Sequence, residues 1–267
     1  MTVPPPDAEW SLPTRHVGRR VLYYDRLPST LPVAAALAAD PDAAGTAVLA
    51  GEQTAGRGQY GRSWACPPGA GVLLGVALAP PPAARRPAVL TAWAAVGVAE
   101  AVRRLTGRQA RVKWPNDVLI RGKKVCGILI ESAAAAGRPP TAVAGIGLNV
   151  TQSAEHFAAA GLPAATSLAA STGRAFDMRE VADVLLDELD RAYGLVLDGE
   201  LGTLEACWAW RVGLLGRPVL AEAADGTVHQ GRLRALTFAG LELEAAGGAV
   251  DRLTPEAVRH LTAARGS

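Results

Sequence analysis

The chain has 267 residues, enough to bury a large core, with 49% apolar and 19% charged side chains and a formal net charge of +2. That balance is too mild to argue for a nucleic-acid binder. Cys66, Cys126 and Cys207 lie too far apart for a CxxC metal or redox motif and make no even disulfide set. The opening "MTVPPPDAEW" has neither the basic nor the apolar region of a signal peptide, and the longest apolar stretch, Ala88 to Ala99, is too short for a bilayer. These features imply a cytoplasmic protein in a reducing compartment.

Residues 1–20, Pro-rich and without helical period, read as an arm. "VLYYDRL" (21–27) predicts a strand, "LPVAAALAAD" (31–40) a short helix, and "TAVLAGEQ" (46–53) a buried strand. "GVLLGVALA" (71–79) predicts a strand closed by prolines, and 86–107 a long helix with Pro87 near its start and Gly107 past its end. Short strands follow at 110–114, 117–120 and 124–132, the last two joined by a hairpin at Arg121-Gly122, then a buried strand at 141–150. The clearest helix is 178–197, with Met178, Val181, Leu185, Leu189, Tyr193 and Val196 along one face. After Gly213 short alternating runs are split by glycine turns, the pattern of a small antiparallel barrel. The expected organisation is therefore an arm (1–20), a mixed α+β domain (21–212) and a small all-β domain (213–267).

The loop "GEQTAGRGQYGRSW" (51–64) contains Gly56-x-Gly58-x-x-Gly61, the spelling of a dinucleotide-binding turn. Such a turn must open a helix and be followed about 20 residues on by an acid. Here "RSWACPPGAG" follows, which cannot start a helix, and "LAPPP" stands where the acid is needed. The Gly-Lys-Ser/Thr of a phosphate-binding P-loop is also missing. Two further stretches, "VKWPNDVL" (112–119) and "GIGLNV" (145–150), put polar residues at strand ends, where sites tend to be built.

Together "GRGxxGRxW" (56–64), "KWPNDV" (113–118), "KVxGILxE" (124–131) and "GIGLNV" (145–150) resemble the biotin–protein ligases, in that family's order and spacing. The resemblance extends to "PST" (28–30) and the C-terminal unit, so it spans nearly the whole chain. It implies an α+β fold: a mixed β-sheet with helices, related to class II tRNA-synthetase catalytic domains, plus an SH3-like β-barrel. It also implies a two-step reaction, in which biotin and ATP form biotinyl-5′-AMP and a lysine of a biotin carboxyl carrier domain, from an acyl-CoA or pyruvate carboxylase, then takes the biotinyl group.

The first step brings two anions together and so needs cations and Mg²⁺ in a partly dry pocket. Arg57 and Arg62 lie on a loop whose glycines let backbone N–H groups approach phosphate. Lys113 and Lys124 add two cations. By resemblance Lys124 stands beside the reacting groups, with Arg57, Lys113 and Asp117 completing the catalytic set; without the motif, Lys124 is a solvated lysine beside Lys123. Asp117 could hold the metal or orient Lys113, with Mg²⁺ otherwise carried mainly by the phosphates. Asn149 matches the residue that reads the adenine, an amide offering donor and acceptor together, and Asn116 joins it on the nucleotide side. Ser29, Thr30 and Gln53 match the ureido side of biotin. Trp64 and Trp114 could supply apolar wall or simply core, with Arg57, Gly58 and Lys124 completing the biotin set.

Many relatives have arginine where this chain has Gln59, so one phosphate partner is missing and the adenylate is expected to leak more readily. Leu31 also replaces a common asparagine. Some members carry an N-terminal DNA-binding domain; about 20 Pro-rich residues are too few for one, so no DNA role is expected. A lipoate transferase would share the catalytic fold, but "KWPNDV", "GIGLNV" and the C-terminal barrel favour biotin. A non-catalytic sensor would need no lysine at the reacting centre. The sequence leaves the oligomeric state open.

Overall fold

The computed structural model describes residues 3–133 and 140–264; residues 1–2 and 265–267, the ends of the expected arm and C-terminal unit, lie outside it, as do residues 134–139. The first strand, β1 (Ala8–Trp10), falls inside the expected arm. It pairs antiparallel with β2 (Val21–Leu27), and the Tyr24 hydroxyl donates to the Pro4 carbonyl at 2.8 Å. The absence of a helical period therefore marked an edge strand, too short to declare itself by alternation.

Helix α1 (Thr30–Ala38) crosses from β2 to a parallel partner, β3 (Ala47–Gln53). After β4 (Gly71–Leu78) comes α2 (Pro87–Thr106), which starts with Pro87 and ends at Gly107 in the left-handed region, φ 70°. Then follow β5 (Ala110–Lys113), β6 (Asp117–Ile120), β7 (Lys123–Ala133) and β8 (Thr141–Asn149). Arg121 and Gly122, at φ 50° and 78°, form the expected tight turn between β6 and β7. The eight strands run in the order β1-β2-β3-β4-β8-β7-β6-β5, and only the β2–β3 pair is parallel.

Each face of the sheet has its own core. Leu31, Val33, Ala34 and Leu37 of α1 pack on Leu22, Tyr24, Val48 and Leu73. On the other face α2 packs with α5 (Met178–Leu197), and Trp93 Nε1 donates to the Leu189 carbonyl at 2.9 Å. Between β8 and α5 lie the short helices α3 (Ala154–Ala159) and α4 (Leu168–Thr172). Helix α6 (Leu201–Val212) has no counterpart in the periodicity, because its buried side includes Arg211, paired with Glu100 of α2, among Leu204, Trp208 and Val212. A charged residue on the core side breaks the apolar stripe.

Past Gly213 the chain forms β9 (Pro218–Ala223), β10 (Val228–Leu236), β11 (Leu241–Glu244), β12 (Val250–Leu253) and β13 (Val258–Ala263). All pair antiparallel in the order β12-β11-β10-β9-β13. The SH3-like unit is thus a five-stranded sheet with β12 and β13 at its ends, without a hydrogen-bonded ladder closing it into a barrel. It is fastened to the larger sheet by Trp114, whose Nε1 donates to the Val258 carbonyl at 2.8 Å, and by Phe238, stacked on Trp208 at 5.7 Å. Among the described residues no helix is long and apolar enough to cross a membrane.

The arm is held from the opposite side by one carboxylate. Asp190 of α5, only 8% exposed, accepts from the backbone N–H groups of Arg15, His16 and Val17 at 3.0, 2.6 and 2.8 Å. Removing it leaves the buried Val17 donor, and two less buried ones, without a partner. Asp190→Ala is expected to cost about 3 kcal/mol of stability in a denaturant titration and to speed hydrogen exchange at Val17 ahead of the sheet.

Candidate active site

A cleft of about 460 Å³ opens on the α1 face of the sheet, between the N-terminus of α1, the glycine loop and strands β7 and β8. Ser29 caps α1, its Oγ accepting from the Leu31 N–H at 3.3 Å. Gln53, at the end of β3, accepts from the Thr30 N–H at 2.8 Å and lies 3.2 Å from Thr30 Oγ1. The three residues form one polar corner at the cleft wall.

The glycine loop is a small hairpin. Trp64 N–H donates to the Gly56 carbonyl at 2.9 Å, Gly58 N–H to Arg62 at 2.7 Å and Arg62 N–H to Gln59 at 3.2 Å, with Arg57 bridged to Ser63. These three N–H groups are therefore engaged within the loop. Of the loop's glycines, Gly58 thus has its N–H taken up by the hairpin itself. Arg57 lines the cleft and grips Glu131 of β7 with two nitrogens, both 2.9 Å from a carboxylate oxygen. Arg62 faces a shallower depression outside the cleft, its guanidinium 5.8 Å from the Tyr60 ring.

A β-bulge aims Lys124. Leu119 of β6 stands opposite Lys124, but Val118 stands opposite Cys126, so Val125 is an extra residue. Regular alternation would turn Lys124 to the helix-covered face together with Cys126. The bulge instead puts Lys124, Gly127 and Asp117 on the cleft face. Lys124 Nζ lies 2.6 Å from Asp117 Oδ1 and 5.4 Å from the Trp64 ring centroid. Asp117 thus partners Lys124, which corrects the suggestion that it orients Lys113. Lys113 lies exposed at the end of β5, away from the cleft lining.

Trp64 lies across the sheet, over two glycines that face each other on β7 and β8, Gly127 and Gly147. A Cβ on Gly147 would sit 2.4 Å from Trp64 Cε2, and one on Gly127 would sit 2.8 Å from Cζ3. Glycine in buried strands, next to a distant tryptophan, was the available sequence signal for this contact. The Trp64 Nε1–H is buried without a protein partner. Trp114, by contrast, is 4% exposed and belongs to the core beside Trp208, 5.5 Å away, so it gives no wall to this cleft. Asn116 does line it, with Nδ2 donating to the Ile128 carbonyl at 2.6 Å. Asn149 lies behind it, 5% exposed, bonded to the Thr166 carbonyl at 3.0 Å and to Gln152 at 3.2 Å.

Acids stand singly here, each beside a cation: Asp117 with Lys124 and Glu131 with Arg57. Among the described residues no three His, Cys, Asp or Glu side chains gather as a metal-binding group. The arrangement suits an anionic ligand with an apolar body. A tryptophan lies on a glycine floor, with two cations at one end and a hydroxyl–amide corner at the other.

The chain is similar to known ligases. The model of the biotin/lipoate A/B protein ligase family matches residues 25–149. The Bacillus subtilis bifunctional ligase/repressor BirA is 33% identical over 223 residues, 84% of this chain and 69% of that protein. A biotin–[acetyl-CoA-carboxylase] ligase of Paracoccus denitrificans is 36% identical over 204 residues, covering 73% of this chain and 83% of the relative. Among solved structures, the biotin protein ligase from Aquifex aeolicus in complex with biotin and ATP superposes with a TM-score of 0.69 at 24% identity, over 91% of this chain and 99% of that one.

Gly147→Ala is expected to push the indole off the sheet. The near-ultraviolet circular dichroism of Trp64 should change, and stability should fall by about 1–3 kcal/mol.

Proposed function

We propose, on the footing that this chain belongs to the biotin/lipoate A/B protein ligase family and is a biotin protein ligase, that it works in two steps on one cleft. Biotin's carboxylate attacks the α-phosphate of ATP, forming biotinyl-5′-AMP and releasing pyrophosphate. A carrier-domain lysine then attacks the mixed anhydride and releases AMP. The observation that carries this reading is Lys124, bulged onto the cleft face and held by Asp117 2.6 Å away.

In this reading the Lys124 ammonium stabilises the charge that develops as carboxylate and phosphate meet, and Asp117 keeps it aimed. Arg57 binds phosphate by leaving Glu131, an exchange open to a half-exposed pair whose net worth is small. Trp64 covers the apolar body of biotin, while Ser29, Thr30 and Gln53 meet the polar ureido group. Gly58 and Asn116 complete the biotin and nucleotide walls, and Arg62 and Lys113 add positive field from outside the cleft. Mg²⁺ bound with ATP would neutralise phosphate charge and would be held mainly by the phosphates, with Asp117, paired with Lys124 at 2.6 Å, as the protein carboxylate beside it. The acceptor is a biotin carboxyl carrier domain of a carboxylase.

The test is the intact mass of an apo carrier domain after incubation with the protein, Mg²⁺, ATP and either biotin or lipoate. One biotin-sized gain is expected, reduced at least about 100-fold in rate by Lys124→Ala. A lipoyl gain would place the chain in the other branch of the family, and tight biotin binding with no gain would make it a sensor.

Gln59 lines the cleft, and by the resemblance it stands where many members of the family have arginine. Gln59→Arg is expected to slow adenylate dissociation about fivefold, the effect of one partly exposed charge contact of about 1 kcal/mol. An unchanged off-rate in a filter-retention assay would remove Gln59 from the account.

A further inference from the structure

Behind the cleft lies a buried polar chain formed by Asn149, Gln152, Thr166 and Ser167, which are 5%, 5%, 7% and 0% exposed. Gln152 is its hub. Its Nε2 donates to Asn149 Oδ1 and to Cys66 Sγ, both at 3.2 Å, and its Oε1 accepts from the Val150 N–H at 2.9 Å. The Gln152 carbonyl accepts from Ser167 Oγ at 2.6 Å. With both ends of its amide engaged, Gln152 holds Asn149 in one orientation, in which Asn149 Nδ2 donates to the Thr166 carbonyl at 3.0 Å.

The chain leads to Lys124. Strand β8 flanks β7 only from Cys126 onward, where Cys126 faces Leu148. At Lys124, next to the bulge, residues 164–166 take the place of that strand. Lys124 N–H donates to the Ala164 carbonyl and Thr166 N–H donates to the Lys124 carbonyl, both at 2.8 Å, with Lys124 bridged in parallel to Ala165. Lys124 pairs with Leu119 of β6 next to the bulge, and on its other side its N–H and its carbonyl are both bonded to this one segment. The segment is in turn tied to the end of β8 by the Asn149 amide. We propose that Gln152, acting through Asn149 and Thr166, is a positioning residue that holds Lys124 in the cleft. The proposal rests on the catalytic reading of Lys124 given above, though not on any contact between Gln152 and substrate.

The experiment uses the full chain and Gln152→Met, which keeps length and apolar bulk while removing the three hydrogen bonds of the side-chain amide. Competitive acetylation with acetic anhydride, read by peptide mass spectrometry, compares Lys124 with Lys113 as an internal reference in the absence of substrates. The labelling ratio is expected to change at least about threefold. Pyrophosphate release at saturating biotin and ATP should fall about tenfold, the scale of a small misplacement of a reacting group, with the biotin dissociation constant within about twofold of wild type. A purely structural residue would instead lower biotin affinity and rate together, in step with the melting temperature, and leave the ratio of the surviving folded molecules unchanged; that result overturns the proposal. If Gln152→Met does not fold, Ser167→Ala removes one bond from the same chain, and an unchanged ratio and rate there overturn it equally. Should the ratio shift while Lys124→Ala still releases pyrophosphate at the wild-type rate, the positioning stands and the catalytic reading of Lys124 falls.

Discussion

The flat contact between the Trp64 indole and the backbone of β7 and β8 sets the geometry on which the site depends. It requires two facing strands without side chains at Gly127 and Gly147, where a Cβ would stand 2.8 and 2.4 Å from the ring. Once the ring lies there, the glycine loop that carries it must fold back as a hairpin, because Trp64 is bonded to Gly56 at the loop's base. Arg57 then falls beside Glu131, and Lys124 lies under the ring edge. Floor, wall and cations are thus consequences of one close approach between a side chain and a sheet.

Charge around the cleft is balanced in pairs. Lys124 has Asp117 and Arg57 has Glu131, so each cation is aimed by a carboxylate. Half-exposed pairs contribute little to stability, and their value here is directional. Cys126, wholly buried on the opposite side of β7, is kept a neutral thiol, because burial raises its pKa more than the nearby Lys124 charge lowers it. Burial likewise raises Cys66, to about 11, beside Gln152. Neither thiol competes with the Lys124–Asp117 pair for charge.

The C-terminal sheet is joined to the larger one through aromatic rings. Trp114, Trp208 and Phe238 follow one another at 5.5 and 5.7 Å, and Trp114 is bonded to the carbonyl of Val258. Trp114 sits next to the segment that carries Asn116 and Asp117, so the same short stretch serves the cleft on one side and the C-terminal unit on the other. Tyr60 of the glycine loop reaches the same unit, 5.3 Å from the Arg259 guanidinium.

Much of this was legible in the residues. The strands at 21–27, 46–53, 71–79 and 141–150 and the helices at 86–107 and 178–197 follow from apolar period and from proline and glycine punctuation, which are local properties. The motif residues Ser29, Thr30, Gln53, Arg57, Gly58, Trp64, Asn116 and Lys124 could be named in advance, and the fold brings them to one cleft. What the residues alone left open was direction. Whether Trp64 or Trp114 faces the cleft depends on which side of the sheet each one reaches. Asp117 was expected to hold the metal or orient Lys113, and its pairing with Lys124 depends on a one-residue bulge that spacing does not reveal. Edge strand β1 and helix α6 escaped notice because pairing, and an ion pair with Glu100, stabilise them in place of a local pattern. Sequence determined the elements and the chemical inventory, since these rest on short-range propensity and residue type. Tertiary structure decided which groups face one another, since strand register and the absence of a Cβ act only between segments far apart in the chain.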